Sequence, residues 1–283
     1  MIGATVNGLS ANQPILILYF VKVLHPGANP KCTILASIFC AILPIDFSFE
    51  VCYNLITRYG KELIGLIDAS ERLIVVDTET TNSLDDPICY DVGFAVIDKF
   101  GTVYEKYSFM VAEIFLDENL MSSAYFIDKI PKYWEEIKMG SRQLAKFSTI
   151  RKIFTKTCKQ FNVKIVCAHN ARFDYRSLNL TQRYLTSSKY RFFFPYGVEI
   201  WDTLKMSREV LKDDDCYSEF CYNNDYLTAR LCKRFTAEII FRFISGLNDF
   251  EESHTGLEDV LIEKEIFSYC IEKHPDIDGA LWK

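Results

Sequence analysis

The chain has 283 residues, 49% of them hydrophobic and 25% charged. That is enough to bury a substantial core as one large domain, or one domain with additions, and it excludes a disordered or fibrous protein. The formal net charge is −6, so any contact with a polyanion has to come from local basic patches and bound cations.

Residues 1–69 read as an apolar N-terminal extension, and residues 70–283 as the main domain. Before Asp46 the only charged side chains are Lys22 and Lys31, and PILILYFVKVL and TILASIFCAILPI are short apolar runs. Neither reaches the roughly 20 apolar residues of a spanning helix, and the basic start of a signal peptide is missing, so a membrane role is not expected. Three readings stay open for this segment: a small packed extension, an interfacial anchor, or a start site placed too far upstream.

From Arg72 onward strand-like and helix-like segments alternate, which predicts a layered α/β domain. Arg72–Val76 (RLIVV) reads as a strand ending in acids, and 91–98 and 102–111 read as a hairpin around the turn KFG. Asp77 and Glu79 lie two residues apart, hence on one side of an extended chain. Two such carboxylates repel unless a divalent cation sits between them, and hard oxygen ligands suit Mg²⁺ or Mn²⁺. Taken alone, the pair also fits a solvated polar turn.

Between Gln143 and Phe161, Leu144, Phe147, Ile150, Phe154 and Phe161 recur at helical spacing among lysines and arginines, predicting one helix packed on the sheet. KIVCA (164–168) reads as a buried strand, and helical sequence resumes after Asn170, placing Asp174 in the first turn or two. Functional groups gather at strand ends in open α/β sheets. An early-helix acid favoured by the macrodipole is the other reading of Asp174. Asn170 can orient a ligand or water, or simply cap the helix.

Residues 197–203 (GVEIWDT) read as a further strand, and 212–232 as a surface insertion. Thr236–Ser245 and Leu257–Glu272 read as helices, with Thr255 and Glu258 spaced as a capping box. Leu257, Val260, Leu261, Phe267 and Ile271 form the expected packed stripe, Asp259 lies on its flank, and His254 falls in the preceding loop. The ten cysteines include no CxxC pair, which implies reduced thiols and a cytoplasmic location. Cys216, Cys221 and Cys232 come nearest to a metal spacing, but they lack a fourth ligand.

DTET, NARFD and the pair His254 and Asp259, in this order and on these elements, resemble the DEDDh family of 3′-to-5′ exonucleases, which includes the proofreading epsilon subunit of bacterial replicative polymerases and RNase T-like enzymes. The resemblance covers roughly residues 70 to 273. WDTL (201–204) matches the family's strand before the last helices. AYFIDKIPKYWEEI, TAEIIFRFISG and ESHTGLEDVLIEKEIF are most similar to phage-encoded members. The resemblance implies an RNase H-like exonuclease fold with a central mixed five-stranded sheet flanked by helices. It also implies two Mg²⁺ or Mn²⁺ ions held by Asp77, Glu79, Asp174 and Asp259, with Asp77 bridging them and His254 as general base. The implied partners are single-stranded or fraying 3′ ends of nucleic acid, DNA before RNA, and a DNA polymerase.

Thr80, Thr81, Asn170, Phe173 and Tyr125 are candidate substrate contacts, with Phe126 similar to Tyr125. Arg172, Arg176, Arg183, Lys189 and Arg191 lie among aromatic residues that include Tyr190 and Phe192–Phe194, a mixture able to track a backbone and stack bases. A non-catalytic nucleic-acid- or polymerase-binding module on the same fold is the competing reading.

Overall fold

The computed structural model describes residues 72–187 and 189–282. The expectations for residues 1–69 lie outside the described residues. The first strand, β1 (Leu73–Thr81), runs through both acids instead of stopping before them. Its alternate side chains enter two different cores. Ile74 and Val76 join Val92, Phe94, Phe154 and Leu178 on one face, while Leu73 and Val75 join Ala95, Val260, Ile266 and Phe267 on the other. A strand covered on both faces needs an unbroken apolar run, and LIVV supplies it. The same period of two sends Asp77 and Glu79 toward the second core and Thr78 toward the first.

The hairpin follows as β2 (Ile88–Ile97) and β3 (Val103–Val111), turning through Gly101 at φ 78°. Short helices α1 (Ala112–Phe115) and α2 (Glu118–Met121), a 3-10 turn (Ile127–Lys129) and α3 (Ile130–Met139) lead to β4 (Gln143–Ala145). Then come α4 (Phe147–Gln160), β5 (Ile165–Ala168), α5 (Arg172–Leu185) and β6 (Glu199–Asp202). The chain closes with α6 (Thr203–Leu211), α7 (Asp215–Asn223), α8 (Ala237–Ser245) and α9 (Gly256–Lys273).

The strands form one mixed sheet in the order β4-β3-β2-β1-β5-β6. β2 is antiparallel to both β1 and β3, while β1, β5 and β6 run parallel, as do β3 and β4. This is the expected α/β arrangement of a mixed sheet flanked by helices, with six strands where five were expected. The sixth comes from residues 143–145, read above as the start of a helix. They pair with Phe109–Val111 instead, and Lys146, extended at ψ 140°, takes the N-cap position of the helix that begins at Phe147, with no side-chain cap. Leu144 and Phe147 keep helical spacing across that break, so periodicity alone does not reveal it.

Two other expectations change. In α9 the buried residues are Val260, Ile262, Glu263, Ile266, Phe267 and Cys270 together with Gly256 and Asp259, while Leu257, Leu261 and Ile271 are half-buried. The helix packs against the sheet, α6 and α8 at once, so no single stripe describes it. Residues 212–232 are not purely surface: α7 buries Tyr217 and Cys221 in the second core, and Asp214 caps it by accepting the Tyr217 N–H at 2.7 Å. Thr255 does sit at the N-cap of α9, but its hydroxyl bonds the Glu258 carboxylate and leaves the helix N–H groups alone. The reciprocal capping box is therefore absent.

Candidate metal centre

β5 ends at Ala168 beside the middle of the parallel strand β1, which runs on through Asp77 and Glu79, and α5 and α9 begin near that point on opposite faces of the sheet. Residues 77–79 of β1, the segment after β5, the starts of α5 and α9, α6 and residues 228–237 surround a cavity of about 760 Å³. Asp77, Glu79, Asp174, His254 and Asp259 all line it, as do Asn170 and Phe173. The five residues that sequence assigned to chemistry, separated by up to 182 positions, are thus brought to one place.

Each acid is held differently. Asp174, in the first turn of α5, accepts a hydrogen bond from the Thr78 hydroxyl at 2.9 Å, and Thr78 lies 2.9 Å from Ser177 Oγ. Asp259 follows three residues after the start of α9, whose N-terminus is anchored by the Gly256 N–H donating to Asp91 Oδ2 at 3.0 Å. Asp91 is fully buried and paired with Arg142, which also reaches Glu136 Oε2 at 2.7 Å. Glu79, His254 and Asp259 each offer a ligand atom, all within 4.8 Å of one another. Asp77 Oδ2 and Asp259 Oδ1 are buried with no hydrogen-bond partner.

Burial, and with it the packing of like charges, shows in their acidities. Burial, reinforced by Asp174, Glu263, Glu79 and Asp259, raises the Asp77 carboxyl well above the usual range. Burial, with Asp91 and Asp259 adding repulsion, pushes Glu79 up to about 10. Burial with Glu252 and Asp91 pushes Asp259 to about 8. Asp174 is raised by burial to about 7, against the lowering effect of the Thr78 hydrogen bond. Carboxylates this crowded ionise together only if cations neutralise them, and an all-oxygen donor set of this kind fits Mg²⁺ or Mn²⁺.

His254 sits on the cavity rim with its side chain 39% exposed and its backbone in the left-handed region at φ 51°. Its ring stacks on Phe126, with centroids 4.4 Å apart and planes 9° from parallel. Partial burial lowers its pKa below the ordinary value. His169 also lines the cavity, but both its ring nitrogens are engaged, with Thr203 Oγ1 at 3.0 Å and Phe235 O at 2.8 Å.

The substrate candidates divide. Asn170, left-handed at φ 64°, gives its N–H to Asp202 Oδ1 at 3.0 Å. Its side chain does not cap α5, because Ala171 holds that place with no side-chain bond. Thr80 and Thr81 do not line the cavity, and the register shift after Glu79 re-aims that part of the strand. The Thr81 hydroxyl is committed to Leu120 O and to Ser123, 2.9 Å away. Tyr125 is 80% exposed and does not line the cavity, and its ring makes an edge contact with that of Phe126 at 4.9 Å.

Glu263 was missed. It is 3% exposed, lines the cavity, and leaves Oε2 without a partner. Burial and Asp174 raise its pKa well above the usual range. The signal was available, since Glu263 lies one helical turn after Asp259 and so on the same face. Glu252 and Arg208 were missed as well, and both line the cavity. Nothing local in sequence marks either.

No protein-family model matches the chain, and no curated protein matches it in sequence. Solved structures similar to it include exonuclease I of Methylocaldum szegediense, at 14% identity and a TM-score of 0.48, covering 72% of this chain and 41% of that one. Exonuclease X in complex with 5′ overhanging duplex DNA is similar at 13% identity and a TM-score of 0.40, covering 73% and 95%. Pop2p of S. pombe in its Mg²⁺- and Mn²⁺-bound form follows at 12% and 0.40, covering 81% and 93%. The chain spans about two-fifths of the exonuclease I chain, and all three likenesses are too distant to carry a function, which rests on the site.

Proposed function

We propose that the chain is a divalent-metal-dependent 3′-to-5′ exonuclease that releases nucleoside 5′-monophosphates, with DNA expected before RNA on the family resemblance. The observation that carries this reading is the convergence of Asp77, Glu79, Asp174 and Asp259 with His254 in one open cavity. Two buried carboxylate oxygens there, on Asp77 and Asp259, have no hydrogen-bond partner. A purely structural acid cluster would satisfy those oxygens within the protein, which weighs against a non-catalytic module.

The four acids would hold two Mg²⁺ or Mn²⁺ ions. Bound there, the ions supply charge stabilisation for the oxygens entering and leaving phosphorus. His254 is the general base: its lowered pKa keeps the imidazole neutral at pH 7 and able to take a proton from the attacking water. The water oxygen forms the new bond to phosphorus as the bond to the 3′ oxygen of the preceding nucleotide breaks. Phe126 holds the imidazole in plane. Arg208, on the same cavity wall, supplies a cation for the substrate phosphate.

The test is digestion of 5′-labelled single-stranded DNA and RNA with Mg²⁺ or Mn²⁺. Stepwise shortening that keeps the label, and that Asp77→Ala abolishes, is expected. No shortening of either polymer, or equal shortening by Asp77→Ala, overturns the reading. The seven described cysteines are all free thiols, which supports a reducing, cytoplasmic setting. Among the described residues no helix is long and apolar enough to cross a membrane.

A further inference from the structure

Basic residues are segregated in this acidic chain. Between positions 146 and 191 there are eleven Lys and Arg and a single acid, Asp174, although the whole chain has 32 Lys and Arg against 38 Asp and Glu. That acid points into the metal cavity. The fold gathers the surrounding positive charge on one side. α5 turns Asp174, Ser177 and Leu178 inward and leaves Arg172, Arg176 and Arg183 exposed, while α4 exposes Lys152, Lys156 and Lys159. Arg151 of α4 joins that helix to the segment after α5 by donating from Nε to the carbonyls of Phe192 and Phe193 at 3.0 and 3.1 Å.

Aromatic rings line the same side. Tyr175, Phe192, Phe194, Tyr196 and Trp282 border a cleft of about 840 Å³. Tyr196 is fully exposed, and Phe192 and Trp282 are 54% and 50% exposed. A smaller cavity along α5, lined by Arg172, Arg176 and Arg183, shares Tyr175 and Trp282 with that cleft. The Arg183 guanidinium lies 5.6 Å from the Phe192 ring. The two acids bordering the cleft are already engaged: Glu199 accepts the Trp201 indole N–H at 3.3 Å, and Asp278 accepts the Ala280 N–H at 2.9 Å.

We infer that the outer face of α5, the flanking lysines of α4 and the aromatic cleft form a track for single-stranded nucleic acid that leads into the metal cavity. Cationic side chains interleaved with exposed rings are what a flexible polyanion with flat bases requires, since phosphates meet the charges and bases stack on the rings. The track is continuous with the site because α5 itself places Phe173 and Asp174 in the cavity, next to Arg172 on the outer face. From Arg172 to Arg183 the helix rises about 16 Å, which a stacked strand covers with about five nucleotides. The direction of the strand rests on the exonuclease reading, whereas the existence of the surface does not.

The test measures binding without cleavage, by fluorescence anisotropy of the full-length Asp77→Ala protein with oligothymidylates of about 4 and about 16 nucleotides, and with oligouridylate of the longer length. Affinity is expected to rise about tenfold or more with length. Adding Arg172→Glu and Arg183→Glu removes that gain. It also makes the dependence of log affinity on log salt shallower by about 1.4, the amount due to two phosphates that are no longer neutralised. Tyr196→Ala with Trp282→Ala weakens the long oligomer and leaves the salt slope in place. Lys99→Glu with Lys273→Glu, outside the basic stretch, changes neither. If the Glu variants melt early, Arg172→Gln with Arg183→Gln reads the same loss.

The DNA and RNA arms identify the sugar that the track accepts. A long oligomer held no more tightly than a short one overturns the inference, as does charge reversal without effect. Tighter binding to phosphatidylserine vesicles than to either oligomer also overturns it. If the unaltered protein cuts no oligonucleotide yet binding stays length- and arginine-dependent, the exonuclease reading fails and the track stands. If it cuts but binding does not depend on length, the track fails and the exonuclease reading stands.

Discussion

Gly93 in β2 and Gly256 at the start of α9 meet backbone to backbone. A Cβ on Gly93 would lie 2.1 Å from the Gly256 carbonyl carbon, and one on Gly256 would lie 2.7 Å from the Gly93 nitrogen. Gly93 is also the partner of Asp77 across the β1–β2 ladder. The helix carrying Asp259 and Glu263 is thereby seated on the strand pair carrying Asp77 and Glu79, and the buried Asp91 clamps it there through the Gly256 N–H.

Gly93→Ala is expected to lift α9 from the sheet. Overpacking of this kind costs about 1–3 kcal/mol, and a displacement near 1 Å at a reacting centre costs about a hundredfold in rate. Urea unfolding together with oligonucleotide hydrolysis checks both numbers. A variant with full stability and full activity would show that this contact does not set the spacing of the acids.

Stability of the metal-free protein should fall as pH rises. In the folded state Asp174, Asp259 and Glu79 are raised to about 7, about 8 and about 10, whereas in the unfolded chain they titrate near 4. Between those values the folded protein binds more protons than the unfolded one, so stability is full below about pH 4 and is lost progressively as pH passes the folded values. Thermal melts in EDTA between pH 5 and 8.5 are expected to show a falling Tm for these groups, and Mn²⁺ should flatten the curve. A Tm in EDTA that rises across this range would contradict the crowding.

His254 and Phe126 give a separable signature in pH–rate profiles. Activity should rise with pH as His254 loses its proton, with a midpoint below its ordinary value near 6.5, because burial lowers the His254 pKa. Phe126→Ala opens the ring to water and should move that limb upward. His254→Ala should remove the limb and cost about a hundredfold to ten-thousandfold in kcat. An acidic limb that persists unchanged in His254→Ala would assign the proton transfer elsewhere.

Much of this site was legible because its chemistry sits where local patterns are strongest. LIVVDTETT combines a buried run with period-two acids, so both the strand and the shared side of Asp77 and Glu79 follow from sequence. Asp174 and Asp259 are early-helix acids after recognisable strand or loop segments. Glu263 escaped because a glutamate in mid-helix is ordinarily a solvated residue, and only the packing of α9 on three sides makes it buried. The clamp from Asp91 to Gly256 spans 165 positions, and no local pattern encodes it. Thr81 looked like a site residue by adjacency, yet its hydroxyl is spent on the Leu120–Ser123 turn.

The most direct measurement of the metal centre is calorimetric titration of the metal-free protein with Mn²⁺ at pH 7 in buffers of different ionisation enthalpy. Because Glu79, Asp259 and Asp77 hold protons in the crowded, metal-free cavity, binding must expel them. The expected result is saturable binding with release of about one proton or more per protein, reduced in both affinity and proton count by Asp77→Ala. Binding with no buffer-dependent heat, or no binding at millimolar Mn²⁺, would contradict the assignment of these acids as a metal centre.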